Sequence, residues 1–199
     1  MSKIKEYIKK GCKGDLNLSF SDIESLPKEL TYVGGTLNLY KCENLSSLPN
    51  NLKVVGSLFL GHCENLISLP DNLQGGGNLN LWNCKSLTSL SDNLKVGGII
   101  DLSYCRSLIF LPNDLKVGGF LDLVNCENLI TLPDNLQVDG VLNLEGCTRL
   151  TSLPDTLHVK GSIYVDETFN INPYRKEILF IKAMEGKQVP TIEGEIIIG

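Results

Sequence analysis

Leucines recur along most of the chain at one fixed pitch. Leu37, Leu58, Leu79, Ile100, Leu121 and Leu142 stand 21 residues apart, and Leu39, Leu60, Leu81, Leu102, Leu123 and Leu144 follow them by two. A spacing of two marks a short strand with one buried face. Two further columns, Leu45, Leu66, Leu87, Leu108, Leu129, Leu150 and Leu48, Leu69, Leu90, Leu111, Leu132, Leu153, fill the core beneath a returning arm. A fixed period of this length predicts a stack of similar units, each burying its apolar face on the next.

Prolines and glycines punctuate each unit. Pro49, Pro70, Pro112, Pro133 and Pro154 share a column in which Ser91 is the lone substitute. A proline in every turn forbids a long helix, so the arm is expected to be extended or a short 3-10 segment. Gly56, Gly77, Gly98, Gly119, Gly140 and Gly161 come just before the next strand, where the backbone turns. Leu16, Leu18, Ser21, Leu26, Pro27 and Leu30 make an earlier unit and Ile163, Val165, Thr168 and Ile171 start a later one, for about eight strands.

Cys42, Cys63, Cys84, Cys105, Cys126 and Cys147 keep the same 21-residue step. The run from Leu37 to Pro49, Leu-Asn-Leu-Tyr-Lys-Cys-Glu-Asn-Leu-Ser-Ser-Leu-Pro, resembles the leucine-rich-repeat pattern L-x-L-x-x-C-x-x-L with a trailing L-P. The cysteine variant is similar to segments of plant intracellular immune receptors, and the Leu-Pro arm to that of bacterial secreted effectors. The resemblance implies an α/β repeat: a solenoid with a parallel sheet on its concave face, mostly extended or 3-10 convex arms, and helical caps at both ends. Residues 1–14 are expected to form an N-terminal helical cap, with Ile4, Tyr7 and Ile8 as its apolar stripe. Residues 15–172 form the array. Residues 173–199 form a C-terminal cap: a helix opened by Pro173 and stopped at Gly186, then a strand over 194–198.

A row of cysteines invites a metal or disulfide reading, but stacked strands lie about 4.8 Å apart in a line. A metal needs convergent ligands and zinc spacing such as CxxC is missing, so no metal and no cofactor is expected. Each thiol is instead expected to sit inward after its strand as a small buried donor to backbone carbonyls. Ser21 and Thr168 in the same column fit that role. His62 beside Cys63 is not expected to form a base and nucleophile, because adjacent residues at a strand end point in different directions.

Function is sought in three outward columns that the core does not constrain. The first reads Asp15, Thr36, Ser57, Asn78, Ile99, Phe120, Val141, Ser162; the middle reads Asn17, Asn38, Phe59, Asn80, Asp101, Asp122, Asn143, Tyr164; the last reads Ser19, Tyr40, Gly61, Trp82, Ser103, Val124, Glu145, Asp166. Tyr40, Phe59 and Trp82 fall on three successive strands, Phe120 continues an apolar strip with Ile99 and Val141, and Asp101, Asp122, Glu145 and Asp166 supply negative charge. Exposed aromatic anchors with a polar surround suit a binding hot spot. Tyr40, Phe59, Trp82, Asp101, Phe120, Asp122, Glu145 and Tyr164 are the candidate partner-binding residues. Strand propensity and cross-strand pairing account for the same aromatics without function.

The net charge is −5, which gives no footprint for nucleic acid. The only basic cluster is Lys3, Lys5, Lys9, Lys10 and Lys13. The opening residues lack the apolar core of a signal peptide and no long apolar run follows. A cytoplasmic monomer without membrane contact is expected, or delivery to a host cell as an effector. The leading expectation is a non-enzymatic module that binds a protein partner through the concave face. A glycan-binding or glycan-hydrolysing solenoid using Asp101 and Asp122 with Trp82 is the first alternative. The targeting part of a bacterial effector is the second.

Overall fold

The structure is a computed structural model that describes every residue except 1, 175–178 and 180–181, and leaves out the side chain of Ser2. The leucine columns coil the chain into a parallel β-solenoid. Strands Leu16–Asn17, Leu37–Asn38, Leu58–Phe59, Leu79–Asn80, Ile100–Asp101, Leu121–Asp122, Leu142–Asn143 and Ile163–Val165 begin 21 residues apart, and each pairs in register with the next. Ile196–Ile198, within the stretch 194–198 expected to form a strand, joins as a ninth strand on Ile163–Val165.

The returning arm is extended and forms a second sheet of its own. Its eight strands run from Tyr32–Val33 through Lys53–Val54, Gln74–Gly75, Lys95–Val96, Lys116–Val117, Gln137–Val138 and His158–Val159 to Thr191–Ile192. The second residue of each pair faces the core, and it is valine in all but Gly75 and Ile192. Asn51, Asn72, Asp114 and Asn135, two residues after the proline column, have positive φ. Asparagine and aspartate tolerate that left-handed turn better than other non-glycine residues. The core between the sheets is one continuous cluster of leucine, valine and cysteine.

The coils stack too closely for a side chain at the glycine column. A Cβ on Gly140 would lie 2.8 Å from the backbone carbon and oxygen of Gly119.

Each thiol of the cysteine column donates to the carbonyl of the leucine that follows the strand one coil earlier: Cys42 to Leu18 at 3.1 Å, Cys84 to Leu60 at 3.1 Å, Cys126 to Leu102 at 3.2 Å. Ser21 Oγ, in the first coil, reaches instead the Leu18 carbonyl of its own coil at 2.6 Å. Burial raises the thiol pKa of Cys63, Cys84, Cys105 and Cys126, and pushes Cys147 up to about 12. These thiols are neutral, inward and satisfied.

The first helix, α1 (Ser2–Lys9), buries Ile4 and Tyr7 in the core cluster. The Tyr7 hydroxyl lies 2.8 and 2.7 Å from the Cys12 and Gly14 carbonyls, and Lys3 Nζ donates to Asn17 O at 2.5 Å. Toward the other end, a 3-10 turn at Asn172–Tyr174 buries Tyr174 against Phe169, and its hydroxyl accepts the Leu153 N–H at 2.7 Å. Of the helix expected from Pro173 to Gly186, residues 175–178 and 180–181 lie outside the described residues, while 179 and 182–184 are helical. Among the described residues no helix is long and apolar enough to cross a membrane.

Candidate functional site

The outer face of the nine-stranded sheet carries the three outward columns, and its backbone explains the middle one. Backbone N–H groups along a strand point alternately to the following and the preceding coil, and the one just past the inner leucine of each strand meets no backbone carbonyl. The Asn or Asp side chain two residues earlier takes it: Asn38 Oδ1 accepts from Tyr40 N at 3.0 Å, Asp101 from Ser103 N at 3.0 Å, Asp122 from Val124 N at 3.0 Å and Asn143 from Glu145 N at 3.0 Å. Asn17 and Asn80 do the same for Ser19 and Trp82. The column is therefore an i to i+2 hydrogen-bond device of the Asx type, with one cross-coil bond from Asn80 Nδ2 to Asp101 Oδ2 at 2.8 Å.

Phe59 and Tyr164 break this rule. Neither side chain offers an oxygen beside the backbone, so the N–H of buried Gly61 faces no acceptor at position 59. Phe59 remains 36% exposed, in register between Asn38 and Asn80. Gly61 beside it leaves room for two neighbouring side chains, since a Cβ there would meet Asn80 Oδ1 at 2.8 Å and the Tyr40 ring at 3.1 Å.

Tyr40 and Trp82 are brought together, but through a residue the column reading set aside. The rings of Phe20, Tyr40, His62 and Trp82 form an edge-to-face ladder with centroid separations of 5.6, 5.7 and 4.5 Å. Such contacts contribute about 0.5–1.5 kcal/mol each beyond burial. Phe20, His62 and Tyr104 belong to the position just before the cysteine column, where the backbone has positive φ (59°, 60° and 62°). That left-handed turn sends Cys63 inward and leaves His62 on the ladder, with its Nδ1 2.9 Å from Asn83 Nδ2 and 3.9 Å from Glu64. Phe20 is 69% exposed and Trp82 37% exposed. Lys41 Nζ lies 5.8 Å from the centroids of both Phe20 and Tyr40. Phe59 stands one column away from this ladder.

Farther along the face, Phe120, Val141, Asn143, Glu145 and Tyr164 line an open groove of about 560 Å³. Asp101 and Asp122 stand in register on adjacent strands. Asp101 has both oxygens engaged, Oδ1 by the Ser103 N–H and hydroxyl and Oδ2 by Asn80. Asp122 has its pKa raised, by burial first and then by the charges of Asp101 and Glu145, against the lowering effect of the Val124 N–H. Of the eight candidate residues, Tyr40 and Trp82 share the ladder, Phe120, Glu145 and Tyr164 share the groove, Asp101 and Asp122 lie between, and Phe59 borders the ladder. Compared with protein-family models, with curated proteins and with solved structures, the chain matches none of them.

Proposed function

We propose that the chain is a non-enzymatic protein-binding module of the leucine-rich-repeat kind, which engages a protein partner through the outer face of the nine-stranded sheet. The observation that carries this reading is Phe59. Where the neighbouring coils use Asn to satisfy a backbone N–H, this coil forgoes that bond and turns a phenyl ring outward beside Trp82 and Tyr40. Leaving a buried N–H unmet costs about 1–3 kcal/mol, a cost that interaction with a partner offsets. The leucine-rich-repeat resemblance supports the same face, which in that family is the concave one, and supports α1 and the C-terminal segment as caps over the solenoid ends. The reading extends to a monomer working in the cytoplasm, of its own cell or of a host that receives it as an effector.

Glycan hydrolysis by Asp101 and Asp122 is the weaker reading. A glycosidase pair needs one carboxylate free to attack or to activate water, and Asp101 has both oxygens committed to protein donors.

Affinity capture with the wild-type chain and with the Tyr40→Ala, Phe59→Ala, Trp82→Ala variant tests the proposal. Specific proteins held by the wild type and lost from the variant, at unchanged circular dichroism, are expected. Equal capture by both would remove the aromatic half of the face from the binding site.

A further inference from the structure

The groove at the C-terminal half of the sheet has a chemistry distinct from that of the aromatic ladder. Its floor is apolar, built by Phe120 and Val141 on consecutive coils of the first outward column and by Tyr164 in the middle one. Its edge is anionic, with Glu145 in the lining and Asp122 one coil before Asn143, in register with it. None of the three outward columns contains a lysine or arginine. Among the described residues the coil-to-coil ion pairs, Lys85 with Glu64, Arg106 with Glu127 and Lys160 with Asp139, all use residues outside these columns. Among the described residues, neither Glu145 in the groove's lining nor Asp122 beside the groove has an ion-pair partner, and the charge of Glu145 bears on Asp122.

Resting on the protein-binding reading above, we propose that this groove takes an extended segment of a partner protein in which an apolar side chain is flanked by lysine or arginine. The apolar side chain seats on Phe120, Val141 and Tyr164, and the flanking cation meets Asp122 and Glu145. The dimensions agree: same-face side chains of an extended segment repeat at about 6.8 Å and the coils at about 4.8 Å. A side chain in the groove thus puts its next same-face neighbour one to two coils away, over the carboxylates. Charge complementarity selects this occupant over an acidic protein, a nucleic acid or an anionic lipid surface, each of which the same carboxylates repel. A metal ion is a poor match, because among the described residues no three carboxylate, histidine or cysteine side chains converge on one point.

The test is selection of random twelve-residue peptides on the whole chain, followed by fluorescence anisotropy with the enriched sequences. Enrichment of an apolar residue two positions from lysine or arginine is expected. Affinity should fall at least tenfold in the Asp122→Asn, Glu145→Gln variant and in Val141→Arg, with weaker salt dependence in the first, while all variants keep the wild-type melting curve. Enrichment of acidic or uncharged peptides, undiminished affinity in both groove variants, or no binder at all overturns the proposal. Self-association of the wild type that Asp122→Asn abolishes also overturns it, and assigns the groove to the lysine-rich N-terminus of a second copy. Peptides lost only from the Tyr40, Phe59, Trp82 alanine variant would refute this groove and leave the sheet-face reading standing; peptides indifferent to both sets would refute both.

Discussion

Replacing Ser91 by proline should stabilise the protein, and the repeat supplies its own controls. Ser91 occupies the column held by Pro49, Pro70, Pro112, Pro133 and Pro154. It is 6% exposed, and its Oγ is fully enclosed with no hydrogen-bond partner. A buried hydroxyl in that state costs about 1–3 kcal/mol. Five other coils accept proline at this site, preceded by leucine as Ser91 is, so neither the φ restriction nor the missing N–H conflicts with the coil. The entropy removed from the unfolded chain adds about 0.4–1 kcal/mol.

The two contributions place Ser91→Pro about 1.4–4 kcal/mol above wild type, and Ser91→Ala, which removes only the hydroxyl, about 1–3 kcal/mol above it. At this chain length 1 kcal/mol moves Tm by roughly 2–4 °C. Urea unfolding followed by circular dichroism measures both variants, and hydrogen exchange at the Leu94 amide, which bonds to the Ser91 carbonyl at 3.2 Å, reads the effect locally. A repeat array distributes stability coil by coil, so slower exchange should concentrate around this coil. If Ser91→Ala were neutral and only the proline stabilised, the buried-hydroxyl argument would be wrong; if both destabilised, so would the column equivalence.

Three further outcomes follow from the stacking. Gly75 stands in the inward valine column between Val54 and Val96, with nothing nearer than 3.9 Å to an added Cβ, so Gly75→Ala should gain about 0.4–1 kcal/mol in denaturant melts. Gly140→Ala has the opposite sign, since its Cβ meets backbone at 2.8 Å, and should lose about 1–3 kcal/mol; equal behaviour of the two variants would contradict the close-stacking account. Thiol reagents should label Cys12, which is partly exposed, and spare the six buried cysteines until urea unfolds the chain. Because folding raises the pKa of Cys63, Cys84, Cys105, Cys126 and Cys147, the unfolded thiols lose their protons first. The stability they contribute is intact below about pH 8.5 and declines as pH rises toward about 12, the value for Cys147. Urea midpoints measured from pH 7 to pH 11 check this, and a midpoint independent of pH would refute it.

The leucine columns and the inward thiols were legible because each is a repeated one-letter signal with a single packing solution at that period. The second sheet was not. Each of its strands is two residues long with one apolar position, too short for any periodicity to register, and its existence follows only once the coils are stacked. The site was half legible. Reading positions as strictly alternating assigned Tyr40 and Trp82 to one outward column, but left Phe20 out of every column and weighed His62 only as a base for Cys63. Positive φ at those residues turns their rings back beside Tyr40 and Trp82. The Asn and Asp column was read for its charge and not for its backbone role, because acceptance of an N–H two residues on depends on a dihedral that letters do not carry.

Departures from the repeat therefore divide by the direction in which their cost points. Ser91 and Gly75 face inward, lose packing or hydrogen bonding, and present nothing to solvent. Phe59 also gives up a backbone hydrogen bond, yet it faces outward beside the aromatic ladder. Restoring the column with Phe59→Asn separates the two kinds. The new carboxamide is positioned as Asn38 and Asn80 are, to accept the Gly61 N–H, which is worth about 1 kcal/mol. Against this stands the lost phenyl, which is 36% exposed and so still buries nearly two-thirds of its surface, a loss of about 1–3 kcal/mol. The variant should melt no more than a few degrees below the wild type, the restored bond offsetting part of the lost burial, while retaining fewer partners in affinity capture. A gain in stability without a loss of binding would make Phe59 a tolerated irregularity of the same kind as Ser91, and the case for the aromatic half of the face would then rest on the ladder alone.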